Sequence, residues 1–193
     1  MGDPFPTQVT TILNGMSKED SSTPEDFVAL LYGELKQMAK IQMVRQRGDH
    51  TLQPTALVNE IWMRIQPESG KHSWESRRHF FRAAACAMRS VLVDHARGRQ
   101  AAKRGGGEKP VPLNENIHVA AEDADSILEL DGALVRLEAE DPDLAELVQL
   151  RFYAGMAHDE IADQLNVSVR TVERRWRAAK LWLLDDLSEE VRT

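Results

Sequence analysis

Hydrophobic positions recur every three or four residues along most of the chain, which is the period of an amphipathic α-helix. The first such run extends from Pro24 to about Arg47, and a second begins at Pro54, a residue suited to the first turn of a helix. Five more runs follow, at about 77–99, 126–139, 143–153, 158–165 and 168–187. Alternating apolar and polar runs bounded by turns are absent from the sequence, so the pattern predicts an all-α protein.

The stretch AAKRGGGEKPVPLNEN separates the first three runs from the last four. Its three glycines and two prolines interrupt helical and strand periodicity alike, which is typical of a linker. We therefore predict two small helical domains, over 24–104 and 126–190, joined by a flexible linker over 105–125. Residues 1–23 are interpreted as an N-terminal extension without an assigned role.

The net charge of −7 is an average over unlike segments. Residues 77–109 carry nine basic and two acidic residues, a net of +7, and residues 168–180 carry five and one, a net of +4. Residues 111–163 carry two basic and fourteen acidic residues, a net of −12. Local clusters of positive charge attract phosphate whatever the overall charge, so the pattern indicates two nucleic-acid-binding surfaces. The acidic segment also suits packing against the basic ones, although the sequence identifies no residue pair.

The C-terminal domain has the pattern of a helix-turn-helix motif. A short helix over 158–165 precedes the turn Asn166-Val167, and Ser168 is a good N-cap for the next helix. On that helix one set of residues shares an inward face: Val172, Trp176, Ala179 and Leu183. Arg170, Arg174 and Arg177 lie on the opposite side, where they favour contact with a DNA major groove. The alternative is an ordinary solvated helix face.

The helix over 77–99 carries a second basic stripe, formed by Arg78, Arg82 and Arg89. Trp74 precedes this helix and Phe81 lies near its start, so rings are available beside the positive charge. Basic groups that follow a phosphate backbone, together with rings that stack on bases, are typical of single-stranded DNA binding. The alternative is that these rings belong to the hydrophobic core.

Other chemistry finds no support in the sequence. Cys86 is the single cysteine, so no internal disulfide and no cysteine-based zinc site is expected. The six histidines show no metal-ligand spacing, and the glycines at 105–107 do not form a phosphate-binding loop. We therefore expect no enzymatic activity, no cofactor and no small-molecule substrate. No signal peptide and no membrane span is evident, so a cytoplasmic protein without a membrane partner is expected.

Three segments in order resemble the sigma-70 class of bacterial RNA polymerase sigma factors, in its extracytoplasmic-function (ECF) group. They are LVNEIWMRI at 57–65, AMRSVLVDHARGR at 87–99 and IADQLNVSVRTVERRWRAAK at 161–180. In that family the corresponding helices bind core polymerase, read the minus-ten element and read the minus-thirty-five element. The resemblance covers residues 25–187. It implies core RNA polymerase and promoter DNA as partners, with an anti-sigma factor as a further partner.

The resemblance also implies roles for individual residues. Docking on polymerase would involve Leu57, Val58, Asn59, Glu60 and Met63. The minus-ten element would be contacted by Trp74, Arg82, Arg89, Ser90, Arg97 and Arg99, with Ser90 in the place of the family's usual Asn. The minus-thirty-five element would be contacted by Ser168, Arg170, Thr171, Arg174, Arg175 and Arg177.

One departure from the family concerns the start of the docking helix. The family usually has a D-x-E-D cluster there, and this chain has Gln53, Pro54, Thr55 and Ala56. Thr55 stands at the position of a missing acid. Phosphorylation would add a charge of about −1.5 to −2, which a helix N-terminus stabilises. A branch of the family without the acids is associated with Ser/Thr kinases, so we hypothesise that a kinase activates the chain at Thr55. The alternative is that Thr55 only helps to cap the helix.

These inferences favour an alternative sigma factor that directs promoter-specific initiation. A helix-turn-helix regulator that binds an operator without core polymerase is the first alternative, and it leaves 54–104 unexplained. A protein-interaction module that uses the acidic segment is the second, and it predicts no DNA binding by either domain.

Overall fold

The computed structural model describes residues 24–45, 54–66, 76–104 and 121–190, and every regular element in these ranges is an α-helix. The helices are α1 (Pro24–Arg45), α2 (Pro54–Ile65), α3 (Arg77–Arg104), α4 (Ala121–Glu140), α5 (Pro142–Phe152), α6 (His158–Leu165) and α7 (Val169–Glu190). The predicted all-α class is confirmed. None of these helices combines the length and the apolar character needed to cross a bilayer.

The helix bounds differ from the prediction on either side of the linker. Helix α3 continues to Arg104 instead of ending near Arg99, and α4 begins at Ala121 instead of Ser126. Residues 121–125, predicted as part of the linker, are therefore helical. Alanines in both extensions favour the helical state, and the glycines and prolines that break it lie between 105 and 112. Residues 1–23 and 105–120 lie outside the described ranges.

Helix α3 lies at the centre of the structure. It contacts α2 on one side and α4, α5 and α6 on the other, while α1 packs on α2. Its buried residues occupy about two-thirds of its circumference at 3.6 residues per turn. They are Phe80, Phe81, Ala84, Ala85, Ala87, Met88, Val91, Leu92, Val93, His95 and Ala96. Because α3 is buried against both groups of helices, one continuous hydrophobic core connects them.

The rings near the start of α3 belong to that core. Phe80 and Phe81 are fully buried, and they form an edge-to-face pair with ring centroids 5.2 Å apart. For these rings the core interpretation is confirmed. Trp74 lies outside the described residues.

The end of α1 contacts the turn between α5 and α6. The side-chain amide of Gln42 donates hydrogen bonds to the backbone carbonyls of Phe152 and Tyr153, the second over 3.0 Å. Gly155 in the same turn has a φ of +72°, and a Cβ at this residue would lie 2.7 Å from Cδ1 of Ile41. The absence of a side chain at Gly155 therefore lets α1 approach the C-terminal helices closely.

Candidate polymerase and nucleic-acid interfaces

Helix α2 divides its residues between the core and the surface. Leu57 and Val58 are buried, with 1% and 0% of their surface exposed, whereas Met63 is 75% exposed. Asn59 lies one turn and Thr55 two turns before Met63 on the same face, and both are also exposed. We call Thr55, Asn59 and Met63 the docking face. Of the five residues expected to dock on polymerase, only Asn59 and Met63 lie on the exposed side of α2.

Glu60 points away from the docking face. Its Oε2 lies 3.4 Å from Nε2 of His95 on α3, and the two side chains are 13% and 8% exposed. The first turn of α2 contains no acid. Thr55, Asn59 and Met63 are uncharged, so the docking face carries no negative charge. His95 itself is buried in the core.

Helix α1 extends the surface beside the docking face. The hydroxyl of Tyr32 donates a 2.7 Å hydrogen bond to Oδ1 of Asn59, and the Tyr32 ring meets Trp62 edge-on. The ammonium group of Lys36 lies 5.0 Å from the centre of the same ring. A cation and two aromatic rings thus adjoin the docking face.

On α3 the guanidinium of Arg89 binds acidic residues of α4. Nε donates to Oδ1 of Asp131 over 2.7 Å, and Nη2 donates to the backbone carbonyl of Asp131 over 3.0 Å. Nη1 lies 3.6 Å from Oε2 of Glu138. The side chain is only 13% exposed. All three nitrogens of this group therefore face α4 in this conformation.

Two more arginines of α3 form ion pairs with acidic residues of α4 and α5. Arg97 donates from Nη2 to the second oxygen of Asp131 over 3.4 Å, and remains 64% exposed. Arg78 donates from Nη2 and Nε to both carboxylate oxygens of Glu146, over 3.0 and 3.4 Å. Asp131 and Glu146 both belong to the acidic segment 111–163, whose net charge is −12. Acidic residues of this segment therefore pair with arginines of α3.

The remaining predicted minus-ten residues have other surroundings. Ser90 is exposed and accepts a 2.5 Å hydrogen bond from Arg64 of α2, whose guanidinium also pairs with Asp94 at 2.8 Å. Arg82 and Arg99 are exposed. Arg64, which sequence reasoning missed, thus lies beside Ser90 with its charge paired to Asp94. Its position at the end of α2 gave no sign of this contact.

Helices α6 and α7 are joined by a tight turn. Asn166 adopts the left-handed conformation, with a φ of 54°, and ends α6. The hydroxyl of Ser168 then accepts a 3.1 Å hydrogen bond from the backbone N–H of Thr171, which caps α7 as expected. The expected inward residues Val172 and Ala179 are fully buried.

The arginines of α7 are arranged as the sequence predicts. Arg170, Arg174 and Arg177 are exposed on one face, and none of them forms an ion pair within the described part of the chain. Arg175 lies aside from this face, with Nη2 3.7 Å from Oδ2 of Asp143 on α5. Among the described residues, the arginine face of α7 is therefore not covered by acidic side chains, whereas Arg89 of α3 is largely covered by α4.

A comparison with protein families identifies the chain. The family model of the ECF sigma factors matches residues 6–189 of the 193 residues. The chain belongs to the ECF sigma factor family. Comparisons with curated proteins and with solved structures find no match.

Membership of the ECF sigma factor family makes the chain an alternative sigma factor that directs transcription. Members of this family are transcription factors and not enzymes; they bind core RNA polymerase and promoter DNA.

The sequence reasoning missed Asp131 and Glu146 as partners of α3. The −12 segment indicated that such partners exist, but their identity depends on how the helices pack.

Proposed function

We propose that this ECF sigma factor docks on core polymerase through the docking face of α2 and contacts promoter DNA through the arginines of α3 and α7. The exposed arginine face of α7, behind a capped helix start, is the observation that carries the DNA assignment. Its guanidinium groups are placed to pair with phosphates or guanine edges. The corresponding role of the α3 arginines rests on the family resemblance.

We further propose that phosphorylation of Thr55 activates docking. Thr55 is exposed in the first turn of α2, where a kinase has access to it. Because Glu60 is turned towards His95, a phosphate at Thr55 would be the source of negative charge on the docking face. The helix N-terminus stabilises that charge. The kinase would transfer the γ-phosphoryl group of ATP to Oγ1 of Thr55, releasing ADP and the hydroxyl proton.

In this proposal Asn59 and Met63 make direct contact with polymerase. Leu57, Val58 and Glu60 would act by holding α2 in place, since their side chains face the core or His95. Tyr32 fixes the amide of Asn59 through its 2.7 Å hydrogen bond. A negatively charged phosphate at Thr55 would complete a surface that offers apolar, polar and anionic groups in successive turns of one helix.

The experiment measures binding of core polymerase to the native chain, to Thr55→Asp and to Thr55→Ala. Ser188→Asp, which places the same charge at an exposed hydroxyl position on α7, is the matched control. We expect weak binding by the native chain, Thr55→Ala and Ser188→Asp, and binding about tenfold tighter by Thr55→Asp. Mass spectrometry of the chain recovered from cells would detect the phosphate and locate it.

The results separate the two parts of the proposal. Tight binding by the unphosphorylated native chain would leave the sigma assignment intact and overturn the Thr55 switch. A different result would favour a regulator that acts without polymerase core. In that case none of the four chains would bind core polymerase, and the native chain would still bind duplex DNA through α7.

A further inference from the structure

Lys36 carries the positive charge that adjoins the docking face. Its side chain is exposed on α1, and its ammonium group lies 5.0 Å from the centre of the Tyr32 ring. Within the described ranges Lys36 forms no ion pair with a carboxylate. The face of one aromatic ring, which attracts a cation only weakly at an exposed site, is thus the protein group that holds this charge.

The direction of the helices places Lys36 opposite Thr55. Only eight positions, 46–53, separate the end of α1 from the start of α2, and so short a connection joins antiparallel neighbours. The hydrogen bond between Tyr32 and Asn59 fixes their alignment. Lys36 lies one turn beyond Tyr32 on α1, and Thr55 lies one turn before Asn59 on α2. In antiparallel helices these two steps, each about 6 Å long, lead in the same direction.

We propose that Lys36 controls docking in two ways: its charge opposes docking while Thr55 is unmodified, and its ammonium group binds the phosphate after Thr55 is phosphorylated. This inference rests on the proposed phosphorylation of Thr55. A partner that recognises a phosphate must present positive charge, and the same positive charge repels an unpaired lysine. The unmodified surface therefore binds poorly for two reasons, because it lacks an anion and carries a cation.

The phosphate can draw Lys36 away from the Tyr32 ring. A phosphothreonine offers three acceptor oxygens, and a lysine carries three donors on a flexible four-carbon stem. A charge-assisted hydrogen bond between them is stronger than a cation–π contact at an exposed site. Together with Lys36, the docking face then changes from a net charge of +1 to about −0.5 to −1. One modification thus reverses the sign of the surface that polymerase would meet.

The first experiment detects the ion pair without polymerase. Phosphothreonine is incorporated in place of Thr55 in the full-length chain, and phosphorus NMR measures the second pKa of the phosphate. The same measurement is made with Lys36→Gln and with Lys180→Gln, the matched control that removes a positive charge from an exposed site on α7. A neighbouring cation favours the doubly charged phosphate, so this pKa, ordinarily about 6, should be lower in the native background and in Lys180→Gln than in Lys36→Gln. The same pKa in all three chains would overturn the ion pair.

The second experiment measures binding of core polymerase by the unphosphorylated chains. Lys36→Gln should bind about threefold more tightly than the native chain, an effect in the range of single exposed charge interactions. Lys36→Arg, which keeps the charge, and Lys180→Gln should bind like the native chain. The advantage of Lys36→Gln should decrease at high salt, since salt screens exposed charges. Circular dichroism verifies that the variants remain helical.

Two outcomes distinguish the role of Lys36 from the docking proposal on which it rests. If the phosphorylated chain binds tightly but unphosphorylated Lys36→Gln binds no better than the native chain, docking stands and the opposing role of Lys36 is wrong. If no chain binds core polymerase, phosphorylated or not, the proposed docking is wrong, and the control by Lys36 is wrong with it even where NMR shows the ion pair.

Discussion

Glu60 and His95 face each other across the contact between α2 and α3, with 3.4 Å between carboxylate oxygen and ring nitrogen. Both side chains are largely buried. The acid nearest to the start of the docking helix is thus used inside the fold. Glu60 therefore helps to hold α2 in the fold, whereas the exposed Asn59 and Met63 remain available to a partner.

The first prediction compares an exposed residue of α2, Met63, with the buried Glu60. Met63→Ala should weaken binding to core polymerase, because it truncates an exposed side chain of the docking face. Glu60→Gln should leave that affinity nearly unchanged and instead lower the free energy of unfolding by about 1–3 kcal/mol, the cost of disturbing a buried hydrogen-bonded group. Binding by fluorescence anisotropy and unfolding by urea are measured on the same preparations. A large loss of affinity in stable Glu60→Gln would show that Glu60 contacts polymerase.

A second prediction follows from the pair formed by Arg136 and Asp186, which joins α4 to α7 by hydrogen bonds of 2.7 and 2.6 Å. The hydrogen bond from Arg136 lowers the pKa of Asp186 below its ordinary value. A carboxyl with a lower pKa in the folded state stabilises the fold above its unfolded pKa, and loses that contribution as the pH falls through the folded one. The native chain should therefore be more stable than Asp186→Asn at pH 7. The difference should begin to shrink below about pH 4 and vanish only when the pH lies below the lowered pKa of Asp186.

The control for this pH dependence is Asp185→Asn, an exposed neighbour on the same helix. Urea unfolding of the three chains at a series of pH values gives the comparison. A difference between the native chain and Asp186→Asn that stays constant with pH would contradict the prediction.

The third prediction tests the close approach at Gly155. An alanine there would adopt a φ of +72° and bring its Cβ to 2.7 Å from Ile41. The left-handed backbone costs about 1–2 kcal/mol for a residue with a side chain, and overpacking adds about 1–3 kcal/mol. Gly155→Ala should therefore lower the urea midpoint markedly. In a chain that already carries Ile41→Ala the same substitution should cost less, because the contacts with Cδ1 and Cγ2 are removed and only the contact with Cβ, at 3.3 Å, remains beside the backbone cost. Equal costs in both chains would show that Ile41 does not limit the site.

The fourth prediction concerns the exposed arginines of α7. Arg174→Ala should weaken binding to duplex DNA and reduce the slope of log affinity against log salt by about 1, if this residue neutralises one phosphate. Lys40→Ala, which removes an exposed positive charge from α1, is the control and should leave the slope unchanged. Fluorescence anisotropy at several salt concentrations measures both. An unchanged slope in Arg174→Ala would mean that the arginine face is merely solvated.

The sequence by itself determined the all-α class, the order of the helices and the sidedness of α7, because helical periodicity and capping residues act over only a few positions. Ser168 caps α7, Val172 and Ala179 are buried, and Arg170, Arg174 and Arg177 are exposed as that periodicity predicts. The three family segments, lying in order along the chain, also led to the family that residues 6–189 match.

Only the tertiary structure decided how the charged surfaces are used. The sequence placed an acidic segment between two basic ones, but Asp131 and Arg89 are separated by 42 positions and no local rule pairs them. The same holds for Glu60, whose direction depends on where α3 places His95. A charge pattern fixes which signs attract each other, whereas packing of the helices selects the particular side chains that meet, and so decides which basic face is open and which is covered.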